Sequence, residues 1–309
     1  MEKLKIYSNE LTLTNIVEEQ LLYLGKVSDE IIKLNKTFRN ISSAEIINLI
    51  EYTNPNNCDF ILYPQKINPN ENIDDLIEIS KKFNKKILLF YNDDNDKIFN
   101  FENSIIFRTS LYRTIKPKNY FSVPAFCNDL KLETSHYFRN KTVVPTIGFC
   151  GAITHEYRRK IIDSIKDSEK LVSNFIIRND FWGGKIWDDS IRIEYIQNSL
   201  MSDFIICVRG AGNFSYRFYE TLCLGRIPIV LDTDISLPFE SYLNYDFILK
   251  IKTSDLSNLE SIILNYWQNI EDYLLLQKQI ISFWENHLSP LGFIKTLNKY
   301  KNEINNLLH

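Results

Sequence analysis

One stretch of the chain decides the fold: Phe204-Ile205-Ile206-Cys207-Val208-Arg209-Gly210-Ala211-Gly212-Asn213-Phe214-Ser215-Tyr216-Arg217-Phe218-Tyr219-Glu220. An apolar run of strand length comes first, a loop of small residues follows, and an amphipathic segment starts near Ser215. Gly225-Arg226-Ile227-Pro228-Ile229-Val230 follows, with a glycine that ends the helix and a second apolar run. The order strand, loop, helix, strand predicts one unit of a parallel sheet.

The same alternation continues on both sides of this stretch. In the second half we predict strands at 143–149, 171–177, 204–208, 227–231 and 247–251, and helices at 156–165, 191–200 and 216–224. In the first half we predict strands at 4–7, 59–63, 87–91 and 105–107, with helical apolar spacing in 73–80 and 41–52. Helical pattern runs from 259 to the end. The predicted fold class is α/β, with two Rossmann-like doubly wound domains and a C-terminal helical segment.

The length of 309 residues suits two domains. The chain turns polar at Arg139-Asn140-Lys141, and a fresh series of strands and helices begins after it. We therefore predict an N-terminal domain at 1–140 and a C-terminal domain with the terminal helices at 141–309.

Composition excludes several classes of partner. The net charge is −3 and no dense Lys/Arg block occurs, so we expect no nucleic acid and no anionic membrane partner. Neither a leader's apolar region nor a run of about 18 apolar residues is present, which predicts a protein with no transmembrane anchor. The 5 cysteines lack CxxC spacing and are expected to be buried thiols. Abundant Asn, Ile and Lys suggest an AT-rich bacterial or viral genome.

The start of the helix near Ser215 carries an unusual charge. A first helical turn favours Asp or Glu, yet Arg217 lies there and Arg209 precedes the loop. With Asn213 or Ser215 as the N-cap, the first amide groups point above the carboxyl ends of the strands, where a diphosphate binds. We predict that this segment binds a diphosphate, with Glu220 accepting ribose hydroxyls. The contributing residues are Arg209, Gly210, Asn213, Ser215, Tyr216, Arg217 and Glu220.

Other interpretations of this stretch are open. Gly210 and Gly212 could make only a turn, and Arg217 could form only an i, i+3 pair with Glu220. A dinucleotide-binding oxidoreductase would need G-x-G-x-x-G, and residues 210–215 lack the third glycine. No G-x-x-x-x-G-K-[ST] phosphate loop occurs either.

A second loop is expected to face the same crevice. Gly148-Phe149-Cys150-Gly151 ends a predicted strand, and the helix after it carries Arg158 and Arg159. We expect Gly148 and Gly151 to serve the donor site and Arg158 to reach a phosphate, with Arg159 as readily a solvated helix residue. Phe181-Trp182-Gly183-Gly184 could stack on a base or pack a domain interface, and packing is favoured.

Residues 192–238 resemble the exostosin family of glycosyltransferases. The family signature runs from Cys-x-Arg-Gly through Ser-x-Arg-x-x-Glu to Gly-x-Ile-Pro, matched here at 207–210, 215–220 and 225–228. Asp59-Phe60-Ile61-Leu62-Tyr63-Pro64 and Phe107-Arg108-Thr109-Ser110-Leu111-Tyr112 are similar to bacterial members. The resemblance implies a GT-B fold, a nucleotide-sugar donor and inverting, metal-independent transfer. Eukaryotic members are membrane-anchored, and this chain departs from them, so heparan-type substrates are not implied.

Inverting transfer needs a base for the acceptor hydroxyl and positive charge for the departing diphosphate. Arg209 and Arg217 fit the second role. Asp93 and Asp94 follow the strand at 87–91 and are candidates for the base across a cleft, although turn residues of this type are commonly on the surface. Arg108 is a candidate acceptor or phosphate contact, or equally a buried ion-pair partner.

We expect no metal and no cofactor. Asp232-Thr233-Asp234 has the Asp-x-Asp form of metal-dependent GT-A enzymes, but its place after the glycine-rich loop favours an ordinary turn. The histidines His136, His155, His287 and His309 show no ligand spacing.

The leading hypothesis is a hexosyl- or pentosyltransferase that builds a surface polysaccharide or glycoprotein glycan. Its expected partners are a nucleotide-sugar donor, held by the second domain, and a glycan or lipid-linked glycan acceptor, held by the first. The expected location is the cytoplasm, free or peripheral at the inner face of the membrane. The alternative is a non-catalytic nucleotide- or sugar-binding module of the same fold.

Overall fold

The computed structural model describes residues 2–8, 21–22, 25–34, 40–134, 137–180 and 189–306. The chain divides into two compact units. Unit 1 comprises Met1–Asn128, Ser236–Ser241 and Glu285–His309, and unit 2 comprises Asp129–Ile235 and Tyr242–Trp284. The chain thus returns twice to unit 1 after entering unit 2.

Unit 1 is built on a parallel sheet. Its strands are β1 (Leu4–Tyr7), β2 (Ile50–Tyr52), β3 (Phe60–Lys66), β4 (Lys86–Tyr91), β5 (Ser104–Arg108) and β6 (Tyr120–Ser122), and its helices before β6 are α1 (Asp29–Leu34), α2 (Ser43–Ile47) and α3 (Asp74–Phe83). The strand order is β2-β1-β3-β4-β5-β6, with parallel pairings among the described strands. Every residue of β4 and β5 is buried, as in a sheet covered on both faces.

Unit 2 repeats this plan. Its strands are β7 (Thr146–Ala152), β8 (Val172–Arg178), β9 (Phe204–Ile206), β10 (Ile227–Leu231) and β11 (Leu249–Ile251). Its helices are α4 (Glu156–Ile165), α5 (Asp189–Leu200), α6 (Tyr216–Cys223), α7 (Leu259–Gln268) and α8 (Tyr273–Phe283). The described strands pair in parallel in the order β11-β10-β9-β7-β8.

This strand order fixes where unit 2 can bind a ligand. From β7 the chain moves to β8 on one side, and from β8 it crosses to β9 on the other side of β7. The loops that leave β7 and β9 therefore diverge and open a crevice at the carboxyl ends of these two strands, which is the usual ligand position in such sheets.

Local signals set the ends of α6. Ser215 is its N-cap, and Gly225 follows the last turn with φ of 66°. The amide of Gly225 donates to the Leu222 carbonyl at 3.0 Å, and the amide of Arg226 donates to the Thr221 carbonyl at 3.0 Å. This pair of bonds is a Schellman motif, so the prediction that Gly225 ends the helix is confirmed.

The last helices, α9 (Pro290–Lys299) and α10 (Lys301–Asn306), complete the core of unit 1. The Phe293 ring on α9 meets Phe107 edge-on, with 5.4 Å between the ring centroids, and Phe90 at 6.2 Å. Lys301 at the start of α10 pairs with Asp59 across 2.9 Å. Phe293 and Lys301 thus attach these helices to strands of unit 1.

The predicted fold class is confirmed by the two parallel α/β sheets and the helices that follow them. The compact units differ from the predicted division at 1–140 and 141–309, because unit 2 begins at Asp129. Arg139 donates to buried Asp203 at 2.8 Å, and the amide of Leu130 donates to Cys223 Sγ at 3.3 Å. The grouping of 285–309 with unit 1 was not predicted either.

All 5 cysteines lie in the described chain and are buried, and none forms a disulfide there. Burial raises the pKa of Cys207 to about 12.

Among the described residues, no helix combines the length and the apolar character that crossing a bilayer requires.

Candidate functional site

Arg217 lies at the crevice of unit 2, in the first turn of α6. Its Nη2 donates to the Cys150 carbonyl at the end of β7 over 2.9 Å, and its guanidinium carbon lies 4.5 Å from the centroid of the Phe149 ring. The Nε and Nη1 atoms are buried and have no hydrogen-bond partner in the described chain. The guanidinium is therefore fixed in place while two of its nitrogens have unused donor capacity.

Arg158 on α4 is the second cation of this crevice. Its side chain is buried, and its Nη1 donates to the Ala152 carbonyl at 2.9 Å and its Nε to the Val208 carbonyl at 3.3 Å. Within the described residues, neither Arg158 nor Arg217 forms an ion pair with a carboxylate. Burial, and next the charge of Arg217, lowers the pKa of Arg158 to about 10. Two guanidinium groups thus lie close together, and neither is paired with an acid of the described residues.

Two glycines make room for these arginines. A Cβ on Gly151 would lie 2.7 Å from Arg217 Nη2, and a Cβ on Gly210 would lie 3.2 Å from Arg158 Nη2. Gly151 also has φ of 147°, which L-residues rarely adopt. We expected Gly151 to serve the donor site, and in the structure the side chain of Arg217 fills the space beside it. The lack of a side chain at each glycine therefore leaves room for an arginine from a neighbouring helix.

The start of α6 has features that favour an anion. Ser215 has extended backbone angles, makes no side-chain cap hydrogen bond, and is followed by a first turn without an acidic residue. An uncapped helix start presents positive partial charge, and Arg217 adds a full charge. An anion in the crevice would stabilise both.

Arg209 and Asn213 build the loop between β9 and α6. Arg209 donates to the Ala211 carbonyl at 2.7 Å. Asn213 is fully buried, donates to the Thr233 carbonyl at 3.2 Å and accepts from the Thr233 hydroxyl at 2.6 Å. Asn213 therefore ties this loop to the end of β10.

Glu220 pairs with α5 and not with Arg217. Arg192 Nη1 donates to Glu220 Oε1 at 2.9 Å, and the Tyr195 hydroxyl donates to Oε2. Burial and the Glu220 charge raise the pKa of Tyr195 well above its ordinary value, so the phenol stays protonated and donates. Arg192 and Tyr195 were not predicted as partners of Glu220. Their spacing of three on one helix places them on one face, which is the signal that could have found them.

The remaining predicted residues of unit 2 lie in different settings. Gly148 is buried within β7, and a Cβ there would lie 2.3 Å from Ser202 Oγ, so close packing requires this glycine. Tyr216 packs edge-on against Phe214, with 5.6 Å between the ring centroids. Arg159 is exposed on α4. Phe181, Trp182, Gly183 and Gly184 lie outside the described residues.

Arg108 of unit 1 is fully buried. Its Nη1 donates to the Lys97 carbonyl at 2.6 Å, its Nη2 donates to the Asn95 carbonyl, and its guanidinium carbon lies 5.2 Å from the centroid of the Tyr91 ring. In this conformation Arg108 holds the loop after β4 and presents no surface to an acceptor.

The candidate bases lie on that loop. Asp93 accepts from the Asn95 amide at 2.9 Å and pairs with Lys66 at 3.4 Å. Burial raises the pKa of Asp93, but the bonds from Asn95 and the charge of Lys66 outweigh it and leave this pKa below its usual value. Asp94 is exposed. Arg108 and Asp93 therefore stabilise the same loop.

Asp232 and Asp234 form a turn after β10. Asp232 accepts from the Asp234 amide at 3.2 Å and pairs with Lys250 at 3.4 Å. Asp234 has φ of 61°. These bonds fit a turn of the kind expected from the sequence.

No protein-family model matches the chain. A protein of Oryza sativa subsp. japonica, named as a probable glucuronosyltransferase, is 34% identical over 70 residues, which are 22% of this chain and 16% of that protein. The chain thus matches only a small part of that relative's length. Among solved structures, a glycosyltransferase from Rickettsia africae ESF-5 is 13% identical with a TM-score of 0.44, over 98% of this chain and 99% of the other. A Streptomyces sp. SF2575 glycosyltransferase crystallised with thymidine diphosphate is 8% identical with a TM-score of 0.32, over 95% and 82%. TM-scores of this size establish neither a common site nor a common activity.

Proposed function

We propose that this chain is a glycosyltransferase that takes a sugar from a nucleotide-sugar donor, and that Arg158 and Arg217 hold the donor's diphosphate. One observation carries the proposal. Two arginines lie together at the switch point of the unit 2 sheet, and neither forms an ion pair with a carboxylate of the described residues. The local likeness to a protein named as a glucuronosyltransferase supports the same class.

The energetics of this pair favour a bound oxyanion. A buried cation without an ion-pair partner destabilises a fold, and a second cation beside it adds repulsion. A diphosphate offers several acceptor oxygens, which can take paired hydrogen bonds from guanidinium groups. The open donors of Arg217 and the uncapped start of α6 supply what such a ligand needs.

The same charges suit the chemistry of transfer. The bond between the anomeric carbon and the diphosphate oxygen breaks, and negative charge builds on the departing diphosphate. Arg158 and Arg217 would stabilise that charge in the transition state. Arg209, which orders the loop, is proposed to assist them.

For the acceptor we propose a hydroxyl of a glycan or lipid-linked glycan, bound by unit 1. Its oxygen bonds to the anomeric carbon on the face opposite the departing diphosphate, so that the anomeric configuration inverts, and its proton passes to Asp93 or Asp94. Arg108 enters this proposal as the residue that orders the loop of both aspartates. Glu220 is proposed to accept the ribose hydroxyls through lone pairs that Arg192 and Tyr195 do not use. We propose that transfer needs no metal ion, in the manner of exostosin-type GT-B enzymes.

A non-catalytic binding module is the second candidate. The bonds that lower the pKa of Asp93 also make it a weak base, which is the observation in favour of this reading. Both candidates predict nucleotide binding, and only the transferase predicts turnover.

Thermal unfolding with added ligands tests the binding function. UDP, GDP or TDP at a hundredfold excess over Kd should stabilise the protein by about 2.7 kcal/mol, and NAD should not. Arg158→Ala should abolish the effect, while Arg159→Ala, an exposed neighbour on the same helix, serves as the matched control. Stabilisation by NAD alone would favour an oxidoreductase and contradict the proposal.

Turnover is tested by release of nucleoside diphosphate from a panel of nucleotide sugars, with glycan acceptors and with EDTA. Activity that persists in EDTA and drops at least tenfold in Asp93→Asn or Asp94→Asn supports the mechanism. Loss of activity in EDTA would refute metal independence. Full activity of both variants would refute the assigned base.

A further inference from the structure

We propose that the hydroxyl of Thr154 is a third phosphate-binding group, which acts on the same ligand as Arg158 and Arg217. The inference rests on the proposed nucleotide-sugar site. Thr154 lies in the loop between β7 and α4, one residue before the N-cap His155. This loop leaves the carboxyl end of β7 and so faces the crevice described for unit 2.

The hydroxyl of Thr154 has an unusual environment. Its Oγ1 is buried and has no hydrogen-bond partner in the described chain. Buried hydroxyls are nearly always bonded, to the protein, to water or to a ligand. An unused buried hydroxyl beside unused guanidinium donors points to a ligand that satisfies them together.

Thr154 and Arg158 border one small space. A Cβ on Gly210 would lie 3.2 Å from Arg158 Nη2 and 3.5 Å from Thr154 Oγ1. Both atoms therefore face the position that a Cβ would occupy, and glycine at residue 210 leaves that position empty. Arg158 makes its hydrogen bonds through Nη1 and Nε. Its Nη2 makes none within the described residues.

The donor set identifies the chemistry of the ligand. The arginines can only donate hydrogen bonds, and the hydroxyl can rotate to donate as well. A ligand that only accepts, through several oxygens close together, matches this set. A phosphate group of the donor's diphosphate has that character, so Thr154 should contribute affinity through its hydroxyl alone.

Titration calorimetry with inorganic pyrophosphate and with UDP tests this assignment on the full chain. Thr154→Val removes the hydroxyl and keeps the shape, and it should raise both Kd values about tenfold. Thr154→Ser keeps the hydroxyl and should stay within about twofold of wild type. Thr142→Val is the matched control, because Thr142 is exposed and precedes the amino end of β7, whereas the crevice lies at its carboxyl end.

The outcomes separate the two proposals. If Thr154→Val binds like wild type while Arg217→Met does not, the role of Thr154 is wrong and the donor site stands. If Thr154→Ser loses as much affinity as Thr154→Val, the hydroxyl is not responsible and the inference also fails. If the wild-type protein binds neither pyrophosphate nor UDP, both the inference and the proposed donor site fail. If Thr154→Val does not fold, Thr154→Ala takes its place as the variant without the hydroxyl. Its Kd values are then compared with those of Thr154→Ser by the same criterion.

Discussion

Arg217 donates from Nη2 to the backbone carbonyl of Cys150 over 2.9 Å, and this bond ties the first turn of α6 to the end of β7. The bond fixes one nitrogen of the guanidinium and leaves Nε and Nη1 buried without partners in the described chain. A side chain held in this way has little conformational freedom left to lose when a ligand binds. Preorganisation of this kind favours affinity for an anion at the cost of stability in the free protein.

Arg217→Met separates these two effects. Methionine can retain the contact with Phe149 while the partly buried charge is lost, so the ligand-free protein should unfold at the wild-type temperature or above it. Affinity for UDP should fall at least about tenfold, since charge-assisted hydrogen bonds are lost. Scanning fluorimetry with and without UDP measures both quantities. Arg159→Met is the control, and a stabilising response to UDP equal in all three proteins would contradict the prediction.

Gly151→Ala tests whether Arg217 needs the space that the absent side chain of Gly151 leaves. An alanine at φ of 147° is strained by about 1–3 kcal/mol, and its Cβ would lie 2.7 Å from Arg217 Nη2. We expect lower stability and weaker UDP binding, because Arg217 must move away from Cys150. Gly210→Ala, with a 3.2 Å approach to Arg158 Nη2 and no positive φ, should have the smaller effect on stability. Urea unfolding of both variants checks the ranking, and the reverse order would show the assignment of the two glycines to be wrong.

Much of this fold could be predicted from sequence, because the pattern of apolar residues matches one type of structure. The helix Glu156–Ile165 and the strand Ile227–Leu231 have the predicted bounds. The strand Ile50–Tyr52 was missed, since the apolar face of 41–52 suggested one continuous helix. A strand of 3 residues is too short to show its own period.

The site was predictable in its charges and not in its contacts. Arg217 in a first helical turn is visible in the sequence, because that position disfavours a cation. The close approach of Arg217 to Gly151 brings together residues that are far apart in the sequence. The same is true of the pairing of Glu220 with Arg192. Local patterns predict which residues are unusual, whereas tertiary packing decides which of them meet.

Glu220→Ala removes the acceptor of two donors on α5. Tyr195 would lose its acceptor, and among the described carboxylates Arg192 would keep only Glu133, 3.8 Å from its Nε. We expect a loss of about 1–3 kcal/mol in the free energy of unfolding while the protein stays folded. Glu220→Gln keeps one acceptor oxygen and should lose less. Urea unfolding measures these changes, and binding of UDP should weaken in both variants. Unchanged stability in Glu220→Ala would show that the network contributes nothing.

His155 makes the start of α4 sensitive to acid. Its Nδ1 accepts the Tyr157 amide at 3.2 Å, which requires that nitrogen to be unprotonated. Burial and the charge of Arg209 lower the pKa of His155, with Arg158 and Lys160 acting in the same direction and Glu156 against them. The unfolded chain takes up this proton more readily than the folded chain. The stability that the His155 cap contributes is therefore fully present above the ordinary pKa of about 6.5. It is lost as pH falls from there through the lower pKa of the folded state.

His155→Asn should remove this dependence, because asparagine caps a helix and does not titrate. The unfolding temperatures of the two proteins should be similar at pH 7.5. On lowering the pH to 5, wild type should lose about 1 kcal/mol more than the variant, or roughly 2–4 °C. The difference between the two proteins cancels the titration of every other group, so calorimetry at several pH values isolates His155. Parallel loss of stability in both proteins would mean that protonation of this imidazole does not open the cap.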